Sequence, residues 1–177
     1  MRKQAGFTLM EVLFTLMVAG ILVGVGAPSF KTSVQNSRLV TQANDLLALL
    51  LYARSQAVLA GSNAVICASN NQTSCSGSNW ASGYLVCQPD CSVPANILRV
   101  QTALSGSNTL TNTATVSPNT ITFAPTGAPT NGGNFYFDLC DSRGASYGRA
   151  IYIYTAGQPR ISTTVGKLMD GTTALTC

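Results

Sequence analysis

One carboxylate occupies a place where charge is expensive. Glu11 is the only charged residue between Phe7 and Ala27. That run is apolar and long enough to span a bilayer core of roughly 30 Å as a helix. A charged side chain at membrane depth costs roughly 2.5–3.5 kcal/mol even on the most lenient insertion scale. A plain anchor has no use for that cost, so Glu11 is read as functional. The six cysteines form a second chemically capable set, able to make disulfides or to hold a metal. A third set gathers in the last third: Arg143, Arg149, Gln158, Arg160 and Lys167 could meet phosphates. Catalysis has no such constellation. The chain has no histidine, and Lys167 is the only lysine beyond Lys31. The abundant serines therefore lack a candidate base, and no Gly-rich phosphate loop appears.

These residues need elements to position them. Met1 to Gly6 is a short basic leader with Arg2 and Lys3. The positive-inside rule keeps that leader in the cytoplasm and sends the rest outward. The apolar run is too long for an ordinary cleaved signal peptide. After Pro28 the pattern turns amphipathic: Leu39, Ala43, Leu46, Leu47, Leu50, Ala53 and Ala57 recur at helical spacing. Gly61 follows the last periodic residue as a stop signal. The spacing predicts one long helix from Phe7 to about Ala60, with Pro28, Gly20, Gly24 and Gly26 as its kink points. Leu39, Leu46 and Leu50 read as core. Arg54 reads as a solvated or carbonyl-capping arginine.

Beyond the helix, strands are predicted at 64–68, 83–87, 97–103, 120–124, 134–139, 149–154 and 160–163. Phe135 and Phe137 alternate with Tyr136 and Asp138, and Ile151 and Ile153 with Ala150, Tyr152 and Tyr154. The Ser/Thr/Asn-rich stretch from Ser105 to Pro118 reads as a long loop or variable hairpin. An apolar helical stripe packed on an antiparallel sheet is the simplest way to bury both faces. Scarce charge with plentiful Ser, Thr, Asn and Gly suits an extracytoplasmic β-rich body. There are ten Lys and Arg against six Asp and Glu. Any polyanion-binding surface would therefore be local.

The segment Lys3-Gln4-Ala5-Gly6-Phe7-Thr8-Leu9-Met10-Glu11 resembles the type IV prepilin signal, with Leu13 and Pro28 also in place. Met10 stands where isoleucine is more usual. The resemblance implies cleavage by a prepilin peptidase between Gly6 and Phe7, methylation of the Phe7 amine, and retention of the apolar helix. It also implies that Glu11 pairs in a filament with the Phe7 amine of a neighbouring subunit. Breaking such a buried pair costs roughly 3–5 kcal/mol, so it can set register between subunits. A role for Glu11 in leader processing alone is the alternative.

Arg38, Leu39, Gln42, Ala43, Asn44, Leu46, Ala53, Arg54, Ser55, Ala57, Gly61, Val65 and Cys67 resemble the helix and first strand of the GspH/FimT (FimU-like) minor pilins and pseudopilins. Gln56 stands where that family usually has an acidic residue. Trp80 with Gly83, Phe123 with Gly127, and Gly148 to Arg160 fit its later features. The resemblance implies an α+β type IV pilin fold: leader 1–6, membrane or filament-core helix 7–28, amphipathic helix 29–60, and β-rich head 61–177. It implies a minor pilin that primes assembly at or near the pilus tip. Its partners would be other minor and major pilins, the prepilin peptidase and the inner membrane. The head would face the periplasm, then the cell surface after assembly. No cofactor is implied. The alternatives are a GspH-type pseudopilin of type II secretion and a FimT-like receptor for double-stranded DNA. FimT-type receptors carry a "GRxR" motif where this chain has Gly157-Gln158-Pro159-Arg160, so one arginine is replaced by a glutamine that releases no counterion.

C-terminal disulfides are common among type IV pilins, which implies a Cys140–Cys177 bridge pinning the tail. Six cysteines allow fifteen pairings, so the connectivity of the remaining four stays open, with Cys67–Cys87 and Cys75–Cys91 as the arrangement expected first. A four-cysteine zinc site competes, although the paired C-x2-C spacing of zinc ribbons is absent.

Overall fold

The structure is a computed structural model that describes residues 6–130 and 132–177. The basic leader residues 1–5 lie outside the described residues. The chain divides into two units, 1–37 and 38–177. Helix α1 spans Leu9–Ala60 and contains Pro28. Its start has a clear cause. The Thr8 hydroxyl accepts from the Glu11 amide at 3.3 Å, and the Thr8 carbonyl accepts from the amides of Glu11 and Val12. This is a helix N-cap. Gly61 ends the helix at φ +61°, in the left-handed region that glycine enters without penalty.

Within the first unit the helix buries nothing: every side chain from Gly6 to Val34 is exposed. Its mean hydropathy reaches 2.2 over an 18-residue window, so length and composition suffice to cross a membrane. Within the second unit Leu39, Ala43, Leu46, Leu50, Ala53 and Ala57 are buried in one stripe. Their spacing alternates between four and three residues, which keeps them on one helical face.

The strands form two four-stranded antiparallel sheets. The first contains β1 (Ala64–Ala68), β2 (Tyr84–Cys87), β3 (Ile97–Gln101) and β5 (Thr120–Phe123), in the order β3-β2-β1-β5. The second contains β4 (Thr109–Asn112), β6 (Phe135–Cys140), β7 (Arg149–Ile153) and β8 (Pro159–Ile161), in the order β4-β6-β7-β8. Strand β4 lies inside the stretch expected to be a loop. Only Leu110 of it is fully buried, so its polar residues conceal the strand from a hydrophobic pattern. The alternation in β6 and β7 holds. Phe135, Phe137, Leu139, Ile151 and Ile153 face the core with the helix stripe, while Tyr136 and Tyr152 stack on the far face at 5.1 Å. Trp80 joins the sheets. It packs edge-on against Phe137 at 4.8 Å, lies 6.0 Å from Tyr84, and donates its indole N–H to the Pro118 carbonyl at 2.9 Å.

The tail folds back over the second sheet. Leu175 is buried, Lys167 bridges to Ala174, and Cys177 is bonded to Cys140. Beneath it lies Asp138, 2% exposed. One carboxylate oxygen accepts from the Thr176 hydroxyl at 3.2 Å, and the other has no hydrogen-bond partner. Burial pushes the Asp138 carboxyl above its ordinary range, and the Thr176 bonds offset this only in part. The folded state thus holds this proton more tightly than the unfolded chain. Stability from this group is intact below the unfolded value of 3.8 and declines as pH rises through the higher folded value. We expect Asp138→Asn to raise the unfolding midpoint at pH 7 and to leave it unchanged at pH 3. Melts at both pH values check this; an equal shift at both would rule out titration as the cause.

Candidate functional site

Glu11 sits in the first turn of α1, three residues after the capping Thr8. Thr8-Leu9-Met10-Glu11 is thus the spacing of a capping box, a signal legible in the sequence. A carboxylate here also opposes the positive end of the helix macrodipole. The charge therefore has a local use in starting the helix, besides any use between subunits. Gly6, Phe7 and Glu11 are all exposed, with Phe7 82% exposed. The expected cleavage point, Gly6–Phe7, and the carboxylate lie together on an uncovered helix start.

The cysteines pair as Cys67–Cys75, Cys87–Cys91 and Cys140–Cys177. The expected Cys67–Cys87 and Cys75–Cys91 pairs are corrected by sheet register. Cys67 stands opposite Leu85, and Cys87 opposite Val65. The two cysteines share a face but are offset diagonally by two residues, beyond disulfide reach. Each strand cysteine bonds instead to its own following loop. Cys67, Cys75 and Cys91 bring their sulfurs within 4.8 Å of one another, a spacing compatible with a metal site. All three are in disulfides, and a disulfide sulfur is not the thiolate that zinc requires.

The basic candidates do not form one surface. Arg143 is paired with Asp141 at 2.6 Å and lies over the Tyr147 ring at 4.1 Å. Lys167 donates to the Thr172 carbonyl. Arg149 stands opposite Leu139 and shares the helix-facing side of β7 with Ile151. Arg160 stands opposite Tyr152, on the other side. Of the five candidates, only Gln158 and Arg160 are exposed.

Gly157 has a structural task. Its φ is +74°, and a Cβ there would collide with the Gly127 carbonyl oxygen. That same oxygen accepts from Arg54 Nε at 3.1 Å. Arg54 therefore caps a carbonyl, as expected, and the carbonyl lies between the helix and the β7–β8 turn. Gln42 makes a second tether. Its side-chain oxygen accepts from Asn108 at 2.6 Å, and its nitrogen donates to the Ser105 carbonyl at 3.1 Å. The residues that looked like a motif are the ones that fasten loops to the helix. Their three-dimensional meeting leaves no periodic trace, so sequence reading could not pair Gly127 with Gly157. A cleft of about 400 Å³ beside Trp80 and β4 contains Ser78, Asn112 and Pro118, and no titratable side chain lines it.

The profile of the family described as type II transport protein GspH matches residues 42–157, more than half of the chain. The prokaryotic N-terminal methylation motif matches residues 1–27. No curated protein sequence matches. Among solved structures, the chain is similar to the type IV minor pilin FimU of Pseudomonas aeruginosa in two crystal forms. The first is 24% identical with a TM-score of 0.59, and the match covers 72% of this chain and 90% of that one. The second is 25% identical with a TM-score of 0.56, covering 70% and 91%. The minor pseudopilin EpsH from the type 2 secretion system of Vibrio cholerae shares the fold at 11% identity. Its TM-score is 0.51, with 70% of this chain and 95% of that one covered.

Proposed function

The chain belongs to the GspH family of pilin-like proteins, and from that premise we propose that it is a minor pilin that helps prime a type IV pilus at or near its tip. The observation that carries this reading is the N-terminus. A methylation motif stands at the start of a helix whose residues 7–27 are apolar but for Glu11 and its neighbouring threonines, and are exposed throughout. Such a face needs lipid or other helices around it. In this reading Gly6–Phe7 is the cleavage point, and the 7–28 segment moves from the inner membrane to a filament core among other pilins. Glu11 then meets the Phe7 amine of a neighbour, and the head, 61–177, faces first the periplasm and then the cell surface. The prepilin peptidase would be a transient partner.

Deleting the gene tests the role. Piliation and twitching are expected to fall at least tenfold and to return on complementation. Normal piliation would contradict the reading. The family profile and the EpsH-like fold favour a second reading, a pseudopilin of type II secretion. In that case deletion abolishes export of secreted enzymes and spares pili. A DNA-receptor reading has less support, because the basic candidates are dispersed or already engaged.

A further inference from the structure

We propose that Cys67, Cys75, Cys87 and Cys91 form a thiol–disulfide exchange relay, opened by a small external thiol and ending in a changed cysteine pairing. The two disulfides are in contact: the sulfurs of Cys67 and Cys91 are 3.9 Å apart. Cys67 and Cys87 are fully buried beside Leu85 in a small apolar cluster, separate from the main core. Cys75 is exposed and Cys91 half-buried, so Cys75 is the most accessible of the four cysteines. Access and position therefore define an order of attack.

An external thiolate attacks the Cys75 sulfur. The Cys67–Cys75 bond breaks, Cys75 becomes a mixed disulfide, and Cys67 leaves as a thiolate. That thiolate is poorly solvated where it is formed; return to Cys75 only reverses the step, and the next electrophile in reach is the Cys91 sulfur, 3.9 Å away. Attack there makes Cys67–Cys91 and expels the Cys87 thiolate. Cys87 then attacks Cys75, makes Cys75–Cys87 and returns the external thiol. Two disulfides are consumed and two are made, with no net oxidation, so the thiol is a catalyst. The product joins the two loops to each other's strands, whereas the starting pairs close each loop on its own strand.

The test uses the full chain in detergent micelles. Cys75→Ser removes the Cys67 partner without any added thiol. The relay predicts that the free thiol migrates: alkylation and non-reducing peptide mapping should find Cys67 bonded to Cys91, and the label on Cys87 in most molecules. A label remaining on Cys67 with Cys87–Cys91 intact would overturn the proposal. In the unmodified chain, catalytic reduced glutathione should yield the Cys67–Cys91 peptide, while Cys140–Cys177 stays unchanged. Glutathione trapped on Cys75 beside an intact Cys87–Cys91 bridge, or no reaction at Cys75, would equally overturn it. Both measurements are independent of filament assembly.

Discussion

Gly157→Ala is expected to destabilise the head by about 3 kcal/mol or more. Two costs combine. A left-handed backbone costs a residue with a Cβ roughly 1–2 kcal/mol. Overpacking a filled site costs about 1–3 kcal/mol more, and the added methyl would run into the Gly127 carbonyl. That carbonyl cannot retreat freely, since Arg54 holds it. Gly171→Ala is the control. Gly171 has a similar φ of +71°, but a Cβ there meets nothing closer than Thr164 Oγ1 at 3.8 Å. Only the backbone term remains, about 1–2 kcal/mol. The single tryptophan makes the readout simple. Trp80 is buried between the sheets, so its fluorescence reports melting of the head. Gly157→Ala should lower that midpoint by about 10 °C, and Gly171→Ala by about 3–7 °C. Equal shifts would show that the collision is relieved by a small backbone movement.

Replacing Cys140 with alanine and Cys177 with serine should cost about 4 kcal/mol in the chain-entropy model, because the bridge closes a sequence separation of 37 residues. The Cys87–Cys91 bridge closes a separation of only four, and its removal should cost about 2 kcal/mol in the same model. The tail is also the cover of Asp138. Releasing it should expose Leu175 and let water reach the carboxylate, so the pH dependence attributed to Asp138 should shrink in the same variant. Chemical denaturation followed by Trp80 fluorescence measures the first effect. Repeating it at pH 3 and pH 7 measures the second. Loss of stability with an unchanged pH dependence would mean that the tail stays docked through its other bonds.

Much of this architecture is legible in the chain. The four-three spacing from Leu39 to Ala57 gives the buried helix face, and alternation in 135–139 and 149–153 gives the faces of β6 and β7. Gly61 marks the helix end. Strand β4 escaped because Thr109, Thr111 and Asn112 carry no apolar signal; its neighbour β6 supplies the pairing. Cys140–Cys177 pairs as expected, whereas the Cys67–Cys75 and Cys87–Cys91 pairs escaped because they depend on register. A diagonal offset of two residues separates Cys67 from Cys87, and sequence spacing does not record it. The basic residues looked like a cluster because they are close in sequence. Alternation along β7 and β8 then puts Arg149 and Arg160 on opposite sides of the sheet.

The motif residues have a common character. Gln42, Arg54, Trp80, Gly83, Gly127 and Gly157 hold the head together. Gly83, at φ +123°, leaves no space for a Cβ beside the Gln101 carbonyl. A head tied together this way fits the proposed role in assembly.

Mass spectrometry of the mature N-terminus in sheared filaments is the decisive measurement for the proposed role. A minor pilin of this kind is expected to begin at Phe7 with a methylated amine and to co-purify with the filament. A chain that still begins at Met1, or that has lost the 7–28 segment and is absent from the filament fraction, would contradict it.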